Sequence, residues 1–429
     1  MSFILVVSRF FSRLWGLLLL SLAALVLSCQ SGGGGGGDEE GPRFTYRIEC
    51  SGGQTIRSTF DNQQDYVVDR GPVTPPQGSS CDDVEDLPDD QLRRLAKTGQ
   101  WEQYHANGRV LAAGRYENDG RTGEWKQYDD EGQLLRVSNY ADNKKHGPEV
   151  AYFPGTTQWK ERGDYAEGKR TGIWEMRASV NSDCVSRGPY VLGDKDGEWQ
   201  ECGNDPETRQ WYIQFRGNYS GGLRSGPGRT YYPNGQVQSE GEHWADTSDE
   251  CRDSPPQGNP ENCGKRTGFW KIYYPDGKLA MTGSYSRSTG LRTGTWTEYY
   301  RSGEKMAEGP REHVRNGTWT FWDKNGQILA RFVFEDNEFV PARHEAYENG
   351  RKVAEGSVNV GLVKYNQETD ALEFNVVRGG VWTFFDANGQ SVAEGELMAG
   401  KKHGEWRERV NGRWVQNCYM LGRPTECLN

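Results

Sequence analysis

The sequence predicts an all-β protein: an elongated array of β-hairpin repeats that forms one continuous antiparallel sheet, with a small disulfide-containing N-terminal cap. Composition is the first reason. Glycine occupies 56 of the 429 positions, aromatic residues make up 12% and hydrophobic residues only 34%. Large α/β cores need long runs of Val, Ile and Leu, and disordered chains are poor in aromatic residues, so both classes are disfavoured. The second reason is recurrence, because 24 residues separate Trp101 from Trp125 and also Trp382 from Trp406, and such a period indicates a repeat architecture.

One clear unit shows how each repeat forms a hairpin. Trp270, Ile272 and Tyr274 alternate along its first half, which is the periodicity of a strand with one buried face. Asp276 and Gly277 follow, and this pair supplies the positive φ that a tight turn needs. A lone hairpin is marginal in water, so the units must pair with one another in a continuous antiparallel sheet.

The repeated pattern Gly-x-Trp-x-x-Tyr, with a closing glycine, resembles the MORN repeat and more closely the bacterial MORN-variant repeat. The resemblance covers roughly residues 98 to 429. It implies the hairpin fold, and it implies function only broadly, because proteins with such repeats include scaffolds, membrane-associated proteins and antitoxin-like proteins, and the repeats also occur beside unrelated enzymes.

The N-terminus has the features of an export signal. Two arginines precede an apolar run that ends at Leu27 and is too short for a membrane span. Ser28, Cys29 and Gln30 follow, and then a run of six glycines. This order resembles a bacterial lipoprotein signal, which implies cleavage after Ser28, lipidation of Cys29 and, because Gln30 is not Asp, an outer-membrane destination. An ordinary secretory signal with a chance cysteine is the alternative.

The other eight cysteines favour an oxidising compartment. The chain has no C-x-x-C motif and no histidine at ligand spacing from a cysteine pair, so disulfides are favoured over a metal site. Eight cysteines allow many connectivities, and sequence alone leaves the pairing open. Pairs in sequence order would be Cys50 with Cys81, Cys184 with Cys202, Cys251 with Cys263 and Cys418 with Cys427.

The segment before the repeats carries a cysteine pair, several prolines and an acidic stretch. We expect it to be a cap, because a repeat array must cover its first hydrophobic edge; a separate ligand-binding domain is the alternative. The predicted organisation is a signal peptide at 1–28, a Gly-rich tether at 29–43, the cap at 44–97 and repeats at 98–429, with insertions at about 242–266 and 334–379.

No catalytic constellation is visible in the sequence. The six histidines are scattered, and Asp and Glu lie mostly in turns, where turn chemistry explains them. There is no P-loop or nucleophile elbow. We therefore expect a protein without enzymatic activity, metal or cofactor, although paired carboxylates on an array cannot be recognised from one sequence.

The aromatic residues allow two interpretations. In the first they form the core of a sheet that has few aliphatic residues; in the second they are exposed and stack on sugars, which would make the protein a glycan binder. The first interpretation is favoured. Nucleic acid is disfavoured as a partner because the formal net charge is −10.

A cation lies two residues before the opening glycine of each unit. If equivalent positions align, an acidic protein carries a basic ladder that could bind polyanions. The structural alternative is that each cation covers the nearby Trp ring or protects the sheet edge, although Arg224 precedes a unit in which Gly228 replaces the Trp and offers no ring. The ladder comprises Lys97, Arg121, Lys145, Arg170, Lys195, Arg224, Arg266, Arg292, Arg315, Arg378 and Lys402.

Together these features predict an exported, lipid-anchored repeat protein that binds or scaffolds at the bacterial cell envelope. Its expected partners are the membrane, through the lipid on Cys29, and a protein or an envelope polyanion or glycan. The alternatives are a glycan-binding surface protein or an antitoxin-like inhibitory partner of an enzyme.

Overall fold

The computed structural model describes residues 43–248, 251, 263–339 and 344–427. From Phe44 onward these residues belong to one compact unit. The predicted signal peptide, Cys29 and all of the tether except Arg43 lie outside the described residues. In the described part of the chain, no helix is long and apolar enough to cross a membrane.

The described residues form strands joined by short turns, with two short helices near the N-terminus. The first part contains β1 (Phe44–Ser51), β2 (Gln54–Asp61), β3 (Tyr66–Thr74), α1 (Asp82–Glu85), α2 (Asp89–Leu92) and β4 (Ala96–Lys97). The next part contains β5 (Gly99–Tyr104), β6 (Val110–Glu117), β7 (Gly120–Tyr128), β8 (Leu134–Ala141), β9 (Lys144–Tyr152), β10 (Trp159–Ala166), β11 (Lys169–Arg177), β12 (Val185–Val191), β13 (Asp194–Lys195), β14 (Gly197–Asn204), β15 (Trp211–Ser220), β16 (Leu223–Tyr231) and β17 (Val237–Ala245). The last part contains β18 (Gly264–Tyr273), β19 (Leu279–Tyr285), β20 (Arg292–Tyr299), β21 (Lys305–Glu312), β22 (Val314–Arg315), β23 (Gly317–Trp322), β24 (Ile328–Glu335), β25 (Glu338–Phe339), β26 (His344–Glu348), β27 (Arg351–Asn366), β28 (Ala371–Phe385), β29 (Ser391–Met398), β30 (Lys401–Val410), β31 (Arg413–Met420) and β32 (Arg423–Thr425).

Strand pairing follows chain order along the whole array. Neighbouring strands pair antiparallel, as in the registers that place Trp101 and Trp125 on either side of Gly114. The two-residue strands β4, β13, β22 and β25 pair with the strand before them, and that strand also pairs with the one that follows. The described residues thus form one long open antiparallel sheet. This confirms the predicted all-β array of hairpins.

Each unit uses two glycines for different physical reasons. The opening glycine, such as Gly123 with φ of 64°, is in the left-handed region and accompanies a bulge in the register between β6 and β7, a conformation that disfavours other residues. The closing glycine, such as Gly114, has no positive φ, but an added Cβ would lie 2.2 Å from the Trp125 ring. The second glycine is therefore required by space.

One face of the sheet, here called the inner face, carries a row of tryptophans that form the core. Nine of them are at most 2% exposed: Trp101, Trp125, Trp174, Trp199, Trp270, Trp296, Trp319, Trp382 and Trp406. Each of these rings lies over a closing glycine, and its indole N–H donates to the carbonyl of the next residue, as Trp125 Nε1 does to the Arg115 oxygen at 3.1 Å. The burial of this row confirms that these rings form the core. The hydrogen bonds satisfy the indole N–H groups, which a buried tryptophan requires.

Tyrosines two residues after many closing glycines fill the space between the tryptophans. Tyr116 packs edge-on against Trp101 and Trp125, with ring centroids 5.9 and 5.1 Å apart. Tyr285 repeats the arrangement between Trp270 and Trp296. Edge-to-face contacts of this kind add to the free energy gained from burial alone.

The predicted cap residues continue the sheet and also cover it. β1 to β3 pair in order, and Gly71 in β3 lies beneath the Trp101 ring. Val84 in α1 and Leu92 in α2 join the core cluster around that ring. The Asp89 carboxylate accepts the backbone N–H of Tyr46 in the edge strand β1, which blunts that edge for pairing with another chain.

Four disulfides join the cysteines in sequence order, which confirms the suggested pairs. Their Cα–Cα distances are 5.8 Å for Cys50–Cys81, 6.0 Å for Cys184–Cys202, 5.9 Å for Cys251–Cys263 and 5.2 Å for Cys418–Cys427. These distances are ordinary for disulfide bonds.

The stretches predicted as insertions differ from each other. Cys251 and Cys263 lie in the first, and the paired strands β17 and β18 extend into both of its ends, as far as Ala245 and Gly264. In the second, β27 and β28 form a long hairpin (residues 351–385), whose register shifts at two places near Val358. Beyond those shifts its residues lie against the inner face of earlier units, where Phe374 contacts Phe321 and Phe332 at centroid distances of 5.9 Å.

Candidate functional site

The predicted ladder cations all lie on the inner face, over aromatic rings. Every one of the eleven has its charged end 3.9 to 4.9 Å from a ring centroid. Arg170, for example, is 4.1 Å from the Trp174 ring and 5.5 Å from the Tyr190 ring. Outside the cap and the long hairpin, no second layer is seen over the core in the described residues, and these side chains supply the cover there.

The unit without a tryptophan at Gly228 shows how the structure compensates. Sequence reasoning found no ring for Arg224, but Phe215 from the preceding strand fills the space, and its centroid lies 3.9 Å from the guanidinium. His243 fills the other side and packs against Phe215 and Trp270. The expectation that Arg224 lacks a ring was therefore wrong, because a ring can reach the position from a neighbouring strand.

The other exceptional unit has Glu149 in the tryptophan position. Its side chain is fully buried and is paired with Lys145 and Arg136, while Ser138 donates to it at 2.6 Å. Ser138 occupies the closing-glycine position, where no indole needs space. Lys145 lies over the Tyr165 ring at 4.8 Å instead of a tryptophan.

Carboxylates that the sequence reasoning missed neutralise many of the ladder cations. Burial opposes ionisation of Glu201, yet Lys195 and Arg224 outweigh it and hold the pKa of that carboxyl below its usual range. The signal for some of these residues was present, since Glu201, Glu298 and Glu408 each lie two residues after a tryptophan of the row. The ladder pairs are Lys97–Asp69, Lys145–Glu149, Arg170–Glu161, Lys195–Glu201, Arg224–Glu201, Arg315–Glu298 and Lys402–Glu408.

This geometry favours the structural interpretation of the ladder. Its cations are engaged with rings, and seven of the eleven also with carboxylates. Binding of a polyanion along the whole ladder would have to compete with those contacts, and it stays a prediction. Sugars could stack on the nine buried rings only if the covering cations moved away.

Two of the histidines are buried in the core, and one of the candidate metal ligands is a disulfide-bonded cysteine. His243 is buried, and burial together with the positive charges of Arg224 and Arg266 lowers its pKa to about 4. His344 is 1% exposed and packs on Phe332. Cys50, Asp82 and Glu85 are close enough to share an ion, but the Cys50 sulfur is bonded to Cys81.

The outer face of the sheet carries the alternate side chains, which include many charged residues and also the exposed apolar side chains of Ile173, Phe269 and Val381. Glu175 pairs there with Arg162 at 2.5 Å and lies 3.6 Å from Arg187. Beside them is a depression of about 440 Å³, which Pro148 and Ile173 also line. Side chains of both charges thus lie side by side at this place on the outer face, in contrast to the aromatic inner face.

The paired hairpins and their buried tryptophan row define a β-hairpin repeat protein. Four segments match the model of the MORN repeat variant, namely residues 121–142, 224–245, 266–286 and 315–336. The chain therefore contains MORN-variant repeats, and it is a repeat-based binding or scaffold module.

Other comparisons add little about function. No curated protein matches the chain significantly. Crystal structures of TcdB2-TccC3-Cdc42 and TcdB2-TccC3-TEV match over 83% and 90% of this chain, at 11% and 12% identity and TM-scores of 0.17 and 0.16. The chain spans only 19% and 20% of the length of those two chains. Similarity at this level supports no inference about binding.

Proposed function

We propose that this protein is an exported, lipid-anchored scaffold of the bacterial cell envelope that binds a protein partner through the outer face of its sheet. The observation that carries the proposal is the contrast between the two faces. The inner face is closed, because its tryptophans are at most 2% exposed beneath the ladder cations. In the described part of the chain, the outer face offers the larger accessible surface.

The chemistry of the outer face supports a protein as the partner. The outer face carries ion pairs in several units, for example Glu175 with Arg162, Glu240 with Arg229 and Glu394 with Arg407. Such mixed charge does not favour a polyanion, whereas complementary charges on a protein would fix the register of the complex. Partners that bind repeat arrays commonly use an extended surface of this kind.

The disulfides and the N-terminal sequence support the location. Four disulfides fit an oxidising compartment. The signal-like segment that ends at Cys29 would supply the anchor, and several acyl chains on one cysteine would hold the protein stably at a membrane.

Metabolic labelling with a fatty-acid analogue tests the anchor. We expect label on the wild-type protein and none on Cys29→Ser, which should leave the membrane fraction. Gln30→Asp is the matched variant: it should keep the label but move the protein to the inner membrane. Wild-type protein without label would refute the anchoring.

Cross-linking in intact cells tests the scaffold role. Glu175→Lys reverses a charge on the outer face and should weaken cross-linking to the partner. The control is Glu149→Gln, which changes a carboxylate buried on the inner face and should keep any cross-link if the protein still folds. Equal cross-linking of wild type and Glu175→Lys, together with an equal result for Glu240→Lys and Glu394→Lys, would contradict the assignment to the outer face.

A further inference from the structure

One unit places an arginine where many others have a tyrosine. The position lies two residues after the closing glycine and holds Tyr116, Tyr190 and Tyr285 elsewhere, but here it holds Arg311. Its side chain is about nine-tenths buried, and its guanidinium lies 5.1 Å from the Trp319 ring and 5.9 Å from the Trp296 ring. The fold does not require a cation here, since a tyrosine ring fits the same position in other units.

Arg311 and Arg315 share a single carboxylate, and a third guanidinium, that of Arg292, lies over the same Trp296 ring as Arg311. Arg311 Nη2 donates to Glu298 Oε1 at 2.7 Å, and Arg315 Nη2 donates to Glu298 Oε2 at 2.8 Å. Arg292 lies over the Trp296 ring at 4.8 Å and has no carboxylate partner among the described residues. Burial first, and then repulsion from Arg292 and Arg315, lowers the pKa of Arg311, although Glu298 opposes the shift.

The charges in this cluster do not balance. The cluster holds three guanidiniums and one carboxylate, which leaves an excess of two positive charges on a partly buried part of the inner face. Burying an uncompensated charge is costly, so a protein keeps such a cluster at a net cost to its own stability. In the unit around Glu201, two cations share one carboxylate, and the excess is only one charge.

A depression opens at this cluster and gives a ligand access to it. Its volume is about 420 Å³, and its lining includes Tyr285, Leu291, Arg292, Arg311, His313 and Asn337. The Nε atom of Arg311 is buried without a hydrogen-bond partner in the described part of the chain. Its Nη2 donates to Glu298, and Arg311 itself lines the depression.

We propose that this depression binds a small dianion such as a phosphate group, held by the guanidiniums of Arg292 and Arg311. A dianion matches the excess of two positive charges, and arginine is suited to oxyanions because its planar fork can donate two parallel hydrogen bonds. The anion comes either free or as a monoester on a larger soluble molecule. The inference is independent of the lipid anchor and of the outer face.

Titration calorimetry of the purified full chain with inorganic phosphate at low ionic strength tests the site. The informative variant is Arg311→Tyr, which installs the residue found at this position in other units and is therefore expected to fold. We expect binding at one site per chain, weakened about tenfold or more in Arg311→Tyr because a charge-assisted hydrogen bond is lost. Arg378→Gln removes a ladder cation outside the depression and should bind phosphate as the wild type does.

Each outcome is decisive. If Arg311→Tyr does not fold, Arg292→Gln replaces it with the same expected loss. Binding of glycerol phosphate as tightly as inorganic phosphate would indicate the ester as the source, and binding of inorganic phosphate alone would indicate the free anion; both support the site. No binding to wild type, or equal weakening by Arg378→Gln, would overturn the proposal.

Discussion

At the residue scale, each indole of the inner face depends on a glycine in the neighbouring strand. Trp125 lies so close to Gly114 that a Cβ there would be 2.2 Å from its ring. In two units that lack the indole, the glycine is absent too: Ser138 stands opposite Glu149, and Phe332 stands opposite His344 in the continuing register. In the unit with Gly228, the glycine is kept as Gly217, where a Cβ would lie 2.6 Å from the Phe215 ring that replaces the indole. The glycine and the indole therefore act as one packing pair.

Comparison of two alanine variants separates the two roles of glycine. Gly114→Ala should lower the free energy of unfolding by about 3 kcal/mol, because overpacking must displace the Trp125 ring. Gly123→Ala meets nothing within 4 Å but has a φ of 64°, so it should cost only about 1 kcal/mol. Chemical denaturation measures both values. The reverse ranking would contradict the packing argument.

His243 gives the protein a defined response to acid. Its pKa is lowered to about 4 in the folded chain, so between pH 6.5 and 4 the unfolded state binds a proton that the folded state does not. Stability from this residue is therefore present above the unfolded pKa and is lost as the pH falls through that range, by up to about 3 kcal/mol.

The variant His243→Tyr installs the residue found at the same position in other units and should remove that loss. Urea denaturation at pH 7 and pH 5 measures the difference between wild type and variant. The carboxylates with lowered pKa values remain in the variant as an internal control, because their contribution is lost only below about pH 4. An unchanged loss between pH 7 and pH 5 in the variant would show that His243 is not responsible.

At the element scale, the long hairpin of β27 and β28 covers part of the inner face that the ladder does not. Near its tip, the Asp370 carboxylate accepts hydrogen bonds from the Arg301 amide at 2.7 Å and the Ser302 hydroxyl at 2.8 Å. Lys324 pairs with it at 2.7 Å. Burial opposes ionisation of Asp370, but Lys324, Tyr365 and Ser302 hold its pKa below the usual range.

Removing that anchor should loosen the hairpin without unfolding the array. Asp370→Ala is expected to raise amide hydrogen exchange in residues 363–376 by tenfold or more, because several charge-assisted hydrogen bonds are lost together. Glu368→Ala, at an exposed position in the same tip, is the control and should leave exchange unchanged. Equal protection in Asp370→Ala would mean that apolar packing alone holds the hairpin.

The sequence predicted the elements well where one residue type recurs at a fixed place. The Trp row and the Asn-Gly or Asp-Gly turns define strands, faces and hairpins without any tertiary information. The sequence did not show that a ring from a neighbouring strand replaces a missing tryptophan. Phe215 reaches Arg224 in this way, and the register between their strands contains a bulge. The packing of Phe374 on Phe332 joins residues 42 positions apart, and no local pattern encodes that contact.

At the scale of the whole molecule, the buried residues fall into separate clusters along the described chain. One is centred on Trp101 and Trp125, the next on Trp174 and Trp199. The break between them coincides with the unit that has Glu149 in place of a tryptophan. A sheet whose units contact mainly their neighbours unfolds in segments that such breaks define.

A cavity in one cluster should therefore lower the stability of that cluster and leave distant clusters largely unchanged. Trp174→Ala is expected to remove about 4 kcal/mol of local stability and to raise hydrogen exchange in β10 to β15. Exchange in β29 to β31 should change little. Uniform loss of protection across both regions would show that the array unfolds as one cooperative unit.

The central claim is that the ladder cations belong to the fold, because each of them covers an aromatic ring of the inner face. The most direct test is thermal unfolding of a variant in which Arg121, Arg170, Arg266 and Arg378 are all replaced by Gln. Each cation over a partly desolvated ring contributes about 1 kcal/mol, so the midpoint should fall by roughly 5 °C. A matched variant replaces the outer-face residues Arg115, Lys126, Arg187 and Lys271 by Gln, with the same change of net charge, and should unfold close to wild type. An unchanged midpoint in the ladder variant, or an equal fall in both, would contradict the claim.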